Sequence, residues 1–272
     1  MLVFPNAKIN LGLHICRRRS DGFHDIETIF YPIPWRDALE IVPSAKQSFR
    51  LYGNEIATEQ NGNLCERAYH LLAKDFELPP VEIHLLKKIP IGAGLGGGSA
   101  DAAFTLKILN ELFSLQLSPE KLMAYAATLG SDCSFFIENK ATLATGRGEI
   151  FTPINLSLKD WQIFVVYPNV IVNTAWAYRQ VSASELRVSL QEISALPIEK
   201  WQNILKNDFE AAICQHFPLI QNIIDDLYAH HATYAAMSGS GSAVFALFEN
   251  KQQAEKLQKK YAKFPNIWEI LA

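Results

Sequence analysis

The most informative part of this sequence for the fold is PIGAGLGGGSADAA, residues Pro90 to Ala103. Five of the 14 glycines in the 272-residue sequence lie between Gly92 and Gly98. Glycine adopts positive φ angles without strain and lets a ligand approach the backbone, and successive N–H groups of such a loop can face an anion. The apolar alternation at 81–85 predicts a strand before the loop, and the helical spacing at 102–113 predicts a helix after it.

A strand, a glycine loop and a helix N-terminus together predict a phosphate-binding site. It is not a Walker loop, because Gly98 is followed by Ser99 rather than by lysine. Residues 92–97 do fit the pattern G-x-G-x-x-G. A dinucleotide site also needs an acidic residue at the end of a second strand, and Glu111, near the right distance, falls inside the predicted helix. A Rossmann oxidoreductase is therefore a poor interpretation.

Further strands and helices are predicted along the whole chain. We expect strands over Ala7–Ile15, Leu39–Val42, Gln162–Tyr167 and Ala243–Phe248, a turn over 20–24, and helices after Asn63, from Pro119 to near Gly130, and over Ile198–Leu205, Leu219–His230 and Gln252–Tyr261.

Composition and charge exclude several classes of protein. The chain is 49% hydrophobic with a formal net charge of -3, so we expect neither a nucleic-acid binder nor a membrane protein. The tight basic run Arg17–Arg19 is typical of a solvated turn. The four cysteines form no C-x-x-C pair, which favours reduced thiols in a cytoplasmic protein without a zinc site. We expect a monomer or a weak homodimer.

Three segments, in order, resemble the motifs of the GHMP kinases, which are named for galactose, homoserine, mevalonate and phosphomevalonate kinases. They are FPNAKINLGL (Phe4–Leu13), the glycine stretch, and MSGSGSAVFALF (Met237–Phe248). The segments SDGFHDIETIF, LGSDCSFFI and ATGRGE are similar to those of one member, which phosphorylates a methylerythritol linked to cytidine diphosphate for isoprenoid synthesis. The resemblance extends over essentially the whole chain.

The resemblance implies a two-domain α+β fold with the active site between the domains. Residues 1–153 would form the nucleotide-binding domain, and residues 154–272 a ferredoxin-like C-terminal domain. It further implies ATP and Mg²⁺ as co-substrates, with the 2-hydroxyl of the methylerythritol as acceptor. A family member acting on another small alcohol, such as mevalonate or homoserine, is an alternative, and so is a non-catalytic nucleotide-binding protein.

Two residues are candidates for catalysis. From its position alone, Asp132 in GSDCSFF is either a helix cap or a general base. Lys8, in a predicted strand, is of a type that usually faces solvent. The resemblance assigns Asp132 as the base that takes the proton of the acceptor hydroxyl, and Lys8 as its electrostatic partner. A pure binding protein would need neither residue.

Binding residues follow from the same resemblance. Ser99 is a natural cap for the helix after the loop and could also bind Mg²⁺, whereas Asp101 either points away from the phosphates or acts through Mg²⁺. The ATP contacts assigned are Pro90, Ile91, Gly92, Ala93, Gly94, Leu95, Gly96, Gly97, Gly98, Ser99, Ala100 and Asn63. The acceptor contacts assigned are Asn10, Phe23, His24, Tyr178 and Gly239.

The acceptor contacts include a predicted aromatic clamp. Phe23 and Tyr178 would stack on the two faces of the cytosine while His24 reads its edge, although Tyr178 taken alone could equally be a core or surface aromatic. Two departures from the family pattern affect this region. Phe23 stands where tyrosine is common, and Ser242 and Ala243 replace a common Pro-Thr pair.

Overall fold

The computed structural model describes residues 1–53, 62–184 and 188–271. The strands are β1 (Leu2–Val3), β2 (Asn6–Arg18), β3 (His24–Arg36), β4 (Ala38–Pro43), β5 (Ser48–Gly53), β6 (Val81–Lys87), β7 (Thr142–Thr145), β8 (Ile150–Pro153), β9 (Gln162–Val166), β10 (Tyr234–Met237), β11 (Val244–Phe248) and β12 (Asn266–Ile270). The helices are α1 (Leu64–Phe76), α2 (Gly97–Leu112), α3 (Pro119–Leu129), α4 (Phe135–Glu138), α5 (Thr174–Gln180), α6 (Leu190–Ser194), α7 (Glu210–His216), α8 (Pro218–Ala229) and α9 (Lys251–Lys260), with a 3₁₀ helix over Ile198–Asn203.

Contacts divide the chain into two compact units whose segments alternate along the sequence. The first unit comprises Met1–Ala7, Trp35–Ile91 and Gly96–Lys140, and the second comprises Lys8–Pro34, Gly92–Leu95 and Ala141–Ala272. Each unit therefore contains residues that precede the glycine stretch in the sequence and residues that follow it. The division into domains 1–153 and 154–272 stays a prediction.

The first unit is a four-stranded sheet with helices on one face. Its strand order is β1-β4-β6-β5, and β5 runs parallel to β6 while the other pairs are antiparallel. In β6 the apolar residues Val81, Ile83 and Leu85 are fully buried and alternate with more exposed ones, as the pattern predicts for a sheet covered on one side. The strand ends at Lys87, which brings the chain to the start of the glycine stretch.

Two sheets organise the second unit. One has the order β2-β3-β7-β8 and the other β10-β11-β9-β12, with antiparallel neighbours throughout the second sheet. All five residues of β9 and all five of β11 are buried, as is typical of central strands. The long strand β2 runs through the first motif and carries Lys8 and Asn10.

Most predicted elements are confirmed, and so is the α+β class. The prediction of a helix over Ile198–Leu205 is only partly right, because residues 198–203 form a 3₁₀ helix directly after Pro197. The helix after the glycine loop starts before Ser99, the predicted cap, since α2 begins at Gly97. Across the described ranges, no helix combines the length and the apolar character needed to cross a bilayer.

Candidate active site

Lys8 is buried inside the second unit, so the interpretation of a solvent-facing lysine is wrong. Its side chain is 3% exposed, and its ammonium donates to Asn10 Oδ1 at 2.5 Å and to the carbonyl oxygen of Gly94 at 3.2 Å. The ammonium also lies 4.7 Å from the centre of the Phe30 ring. These contacts fix the Lys8 ammonium next to the glycine stretch.

Asn10 fixes this lysine and is itself fixed. Its side-chain amide nitrogen donates to Thr28 Oγ1 at 2.9 Å, and the Thr28 hydroxyl donates to the carbonyl of Gly12 at 2.6 Å. These bonds set which end of the Asn10 amide is the acceptor, and that acceptor faces Lys8. Lys8 and Asn10 are two residues apart in β2, so their side chains lie on the same side of the strand and can make this contact.

The third motif joins the first through Ser238, a fully buried residue to which the sequence analysis assigned no role. The Ser238 hydroxyl donates to the Gly94 carbonyl at 3.0 Å and accepts the N–H of Asn10 at 3.1 Å. Next in the chain, Gly239 has φ +57°, and a Cβ added there would lie 3.0 Å from Asn10 Oδ1. Within the second unit, parts of all three predicted motifs therefore meet around Lys8 and Asn10.

Asn207 holds the third motif in place through its side chain, and the sequence analysis assigned it no role. Its buried side-chain amide donates to the carbonyls of Met237 and Gly239, each at 2.8 Å, and its Oδ1 accepts the Phe209 N–H at 3.0 Å. A lone asparagine in NDF carries no sequence signal of this kind, because its partners lie about thirty residues further along the chain.

The glycine stretch takes its shape from backbone contacts. Gly92, Gly94 and Gly96 have φ angles of +68°, +79° and +71°, in the region that favours glycine. A Cβ added to Gly94 would lie 2.2 Å from the Ser238 carbonyl oxygen, so a side chain cannot be accommodated there. The flanking Ala93 accepts the N–H of Ala243 at 3.0 Å, so Ala243 holds the loop through its backbone whatever its side chain.

The end of this stretch opens α2 in the first unit. Gly96 is the N-cap in a left-handed conformation with no side-chain cap, so the interpretation of Ser99 as the cap is wrong. The glycine φ angle lets the helix start earlier, and the Ala100 N–H closes the helical bond to Gly96 at 2.9 Å. The preceding N–H groups of the first turn have no acceptor within the helix and are suited to an anion. Ser99 is half-buried in this turn and interacts with the thiol of Cys133, whose pKa burial raises to about 11.

Asn63 is the N-cap of α1. Its Oδ1 accepts the Cys65 N–H at 2.8 Å, and Glu66 completes a capping box by accepting the Asn63 N–H at 3.3 Å. The cap uses the oxygen of the side-chain amide and leaves its nitrogen to serve as a donor. Of the other predicted ATP contacts, Pro90 is buried, whereas Ile91 and Gly98 are exposed.

Asp132 lies in the turn between α3 and α4. The turn is held by the Cys133 N–H, which donates to Gly130 O at 3.1 Å, and by the Ser134 hydroxyl, which donates to Met123 O at 2.9 Å. Asp132 is half-buried, and the N-cap position of α4 belongs to Ser134, so the helix-cap alternative is wrong. Asp132 and Lys8 belong to different compact units, and their pairing stays a prediction.

Asp101 points into the interior of the first unit and accepts a hydrogen bond from Lys87 Nζ at 2.7 Å. Of the two alternatives for this residue, the structure therefore favours a carboxylate turned away from the phosphate loop. Burial raises the pKa of Asp101 to about 7, and the nearby Lys87 ammonium opposes that rise. The same ammonium contacts Asp37, and together the three groups form a buried ion cluster.

The predicted cytosine contacts are near one another in the second unit. The rings of His24 and Tyr178 are stacked, with centroids 4.8 Å apart and planes at 18°. Burial and the neighbouring Arg18 both lower the pKa of His24, which favours the neutral ring that can read a base edge. Phe23 is 55% exposed, with the Arg147 guanidinium 5.1 Å from its ring centre.

Two protein-family models match the chain. The model described as the GHMP kinases N terminal domain matches residues 63–139, and the model described as GHMP kinases C terminal matches residues 189–267. The N-terminal match contains the glycine stretch and Asp132, and the C-terminal match contains the third motif. Together they cover more than half of the chain.

Individual proteins are similar over nearly the full length. The 4-diphosphocytidyl-2-C-methyl-D-erythritol kinase of Bacteroides fragilis is 53% identical over 261 residues, which is 94% of this chain and 95% of that protein. A crystal structure of 4-(cytidine 5'-diphospho)-2C-methyl-D-erythritol kinase has a TM-score of 0.83 at 31% identity and covers 98% of both chains. The mevalonate kinase of Methanococcus jannaschii has a TM-score of 0.73 at 15% identity, with 100% of this chain and 98% of that chain covered, and shares the fold.

Proposed function

The chain belongs to the GHMP kinases, and from this premise we propose that it phosphorylates the 2-hydroxyl of 4-diphosphocytidyl-2-C-methyl-D-erythritol with ATP. The observation that carries the proposal is the buried ammonium of Lys8, held by Asn10 and Gly94 where parts of three motifs meet. An ammonium in that position is suited to stabilise negative charge on a transferring phosphoryl group. High identity to a kinase of this name over almost the whole chain supports the choice of acceptor.

The glycine stretch and its flanks fit the triphosphate of ATP. Three glycines with positive φ, one of them too crowded for any side chain, expose backbone N–H groups next to the first turn of α2. Residues 90–100 would hold the phosphates, and the side-chain nitrogen of Asn63 would bind the adenine. The Ser99 hydroxyl is an oxygen donor suited to Mg²⁺, which when bound would neutralise charge on the phosphate oxygens.

The chemical step needs a base and a positive charge. Asp132 takes the proton from the 2-hydroxyl as its oxygen attacks the γ-phosphorus of ATP, and ADP leaves. Lys8 stabilises the negative charge that develops on the transferring oxygens. The transition state of phosphoryl transfer is loose, so positioning of the acceptor by Asn10 and Gly239 contributes more than proton removal alone.

The choice between a cytidine-linked acceptor and a small alcohol rests on the aromatic side of the second unit. The stacked rings of His24 and Tyr178 give a planar surface that a nucleobase can cover, with a neutral imidazole able to form a hydrogen bond, and the exposed ring of Phe23 directly precedes His24 in the chain. Mevalonate and homoserine have no aromatic ring to place there. The aromatic surface therefore favours the nucleotide-linked substrate.

A direct assay tests the proposal. The purified protein is incubated with ATP, Mg²⁺ and, separately, the cytidine-linked methylerythritol, its uridine-linked analogue, mevalonate and homoserine, and the phosphorylated product is identified by mass spectrometry. We expect phosphorylation of the cytidine-linked compound at the 2-hydroxyl and a much lower kcat/KM for the other acceptors. Preferential phosphorylation of mevalonate or homoserine would overturn the proposed acceptor.

A further inference from the structure

A buried ion cluster in the first unit has no part in the roles assigned above. It consists of Lys87, the last residue of β6, Asp37, which immediately precedes β4, and Asp101 in α2. The side chains are 2%, 0% and 3% exposed. The Lys87 ammonium donates to Asp101 Oδ2 at 2.7 Å and to Asp37 Oδ2.

A buried ion cluster of this kind contributes little to the free energy of folding by itself. Removing three charges from water carries a desolvation penalty that their mutual attraction often fails to exceed, and apolar residues of similar volume can serve the fold as well. The functional advantage of the cluster therefore lies in the backbone segments that it holds in place.

Those segments are the entry to the glycine stretch and its exit. On the entry side, Asp37 Oδ1 accepts the N–H groups of Lys88 at 2.6 Å and Ile89 at 2.9 Å. On the exit side, Asp101 lies in α2, four residues after Gly97. Lys87 bonds to both carboxylates and so links the two sides.

The Lys87 ammonium also lies close to the first residue of α2. A Cβ built on Gly97 would lie 3.2 Å from Lys87 Nζ and 2.8 Å from Ile89 Cγ2. Gly97 is the first residue of α2, where the helix presents its N–H groups and its positive dipole end. The lysine therefore supports the backbone of this turn by contact, while its charge is balanced by the two carboxylates.

We propose that Lys87, clamped by Asp37 and Asp101, is a positioning residue for ATP that fixes the two ends of the phosphate loop relative to each other. The inference rests on the proposed function, because it assumes that this loop binds the phosphates. Loss of the ammonium should weaken ATP binding and leave the acceptor site in the second unit unaffected. Asp101 serves the site by holding the lysine and not by touching the ligand.

The test compares variants with one matched control. Lys87→Met removes the ammonium but leaves two carboxylates buried together, so the variant could misfold. Lys87→Met/Asp101→Asn also removes one carboxylate and keeps a similar shape. Lys107→Met is the control, because Lys107 is a half-buried lysine of the same unit that lies in α2 towards the end opposite Gly97 and donates to Ile137 O at 3.2 Å.

The measurements are calorimetric ATP affinity with and without Mg²⁺, KM for each substrate, and melting temperature. We expect the double variant to fold and to bind ATP about tenfold more weakly or worse. Its KM for the acceptor should change little, a split that general loosening of the fold would not produce, and Lys107→Met should bind ATP normally. Wild-type ATP affinity in the folded double variant would overturn the inference. Failure of the unmodified protein to bind ATP would instead overturn the proposed function.

Discussion

The imidazole of His24 lies flat against the ring of Tyr178, with centroids 4.8 Å apart and planes at 18°. Phe23 is exposed and has the Arg147 guanidinium 5.1 Å from its ring centre, and its stacking with Tyr178 on opposite faces of a base stays a prediction. A base that stacks on this face of Tyr178 would have to displace His24, whereas a base that leaves the pair intact could stack on the imidazole. In both arrangements we expect the two residues to act together on the nucleotide.

Tyr178→Ala should raise the KM for the cytidine-linked acceptor about ten- to a hundred-fold with a smaller effect on kcat, because stacking on an aromatic contributes roughly 1–3 kcal/mol per base. His24→Ala should reduce the preference for cytidine over uridine, since hydrogen bonding and not stacking discriminates bases. The effects of the two changes should not add, because the side chains touch.

The control for this pair is Phe23→Tyr, which keeps an aromatic ring on the exposed turn and should retain kcat/KM. Steady-state kinetics with both nucleotide-linked acceptors measure all four proteins. Unchanged values in Tyr178→Ala and His24→Ala would place the base elsewhere.

Lys8→Ala and Asp132→Asn should each lower kcat by roughly 10²–10⁴-fold while ATP affinity stays near that of the unmodified protein. In the proposed mechanism both residues would act on the acceptor oxygen and on the γ-phosphoryl group as it transfers, and would contribute little to the binding of the rest of ATP. Single-turnover kinetics and calorimetry separate the two effects. Asp160→Asn, at an exposed carboxylate, is the control. An Asp132→Asn enzyme with unchanged kcat would remove this residue as the base.

Gly94→Ala and Gly92→Ala form a matched pair within the glycine stretch. Both residues have positive φ, but a Cβ at Gly94 would lie 2.2 Å from the Ser238 carbonyl oxygen, whereas a Cβ at Gly92 would meet no atom within 4 Å. We therefore expect Gly94→Ala to abolish most of the ATP binding and activity, and Gly92→Ala to cause only the modest loss of a strained φ angle. Calorimetry on folded protein distinguishes them, and equal losses would contradict the packing argument.

Ser238→Ala should lower both stability and kcat. The hydroxyl joins the Gly94 carbonyl to the Asn10 N–H, and its removal leaves a buried donor without an acceptor, at a cost of roughly 1–3 kcal/mol. The displaced Asn10 should then hold Lys8 less well, so kcat should fall more than the ATP affinity. Thermal melts and kinetics are compared with Ser194→Ala, at a half-buried helical serine whose hydroxyl donates to Gln191 O within its own helix. A variant that loses stability but keeps full kcat would show that Ser238 does not position the lysine.

Glu210→Gln should stabilise the fold at high pH. Burial raises the pKa of this carboxyl, although the Met237 N–H, which it accepts at 2.8 Å, acts in the opposite direction. A raised pKa in the folded state means that stability is fully present below the pKa of the unfolded chain and is lost as pH rises through the folded value. Glutamine keeps the acceptor and does not titrate.

The melting temperature of Glu210→Gln should therefore exceed that of the unmodified protein by a few degrees at about pH 8, with a smaller difference at about pH 5. Glu255→Gln, on the exposed face of α9, should show no such trend. A difference that grows as the pH is lowered would mean that the folded state favours the charged carboxylate.

Sequence alone predicted the strand before the glycine stretch, the loop and the helix after it, because these depend on residues close together in the chain. Glycine density, apolar alternation and helical spacing express local backbone preferences, and the positive φ angles at Gly92, Gly94 and Gly96 follow from them. The family could also be predicted from the sequence, since three of its motifs occur in order along the chain. Helix α2 starts before Ser99, the predicted cap, because a left-handed Gly96 can cap a helix without a side-chain cap.

The burial of polar residues and their hydrogen-bond partners could be read only from the folded structure. Lys8 is a strand lysine by sequence, and its burial depends on Gly94, some 86 residues later, while Asn10 depends on Ser238, 228 residues later. Lys87 and Asp37 are 50 residues apart and bear no motif, yet they meet as a buried ion pair. Local propensity carries no information about such pairs, because the free energy that holds a charge inside a protein comes from partners that only the folded chain brings within reach.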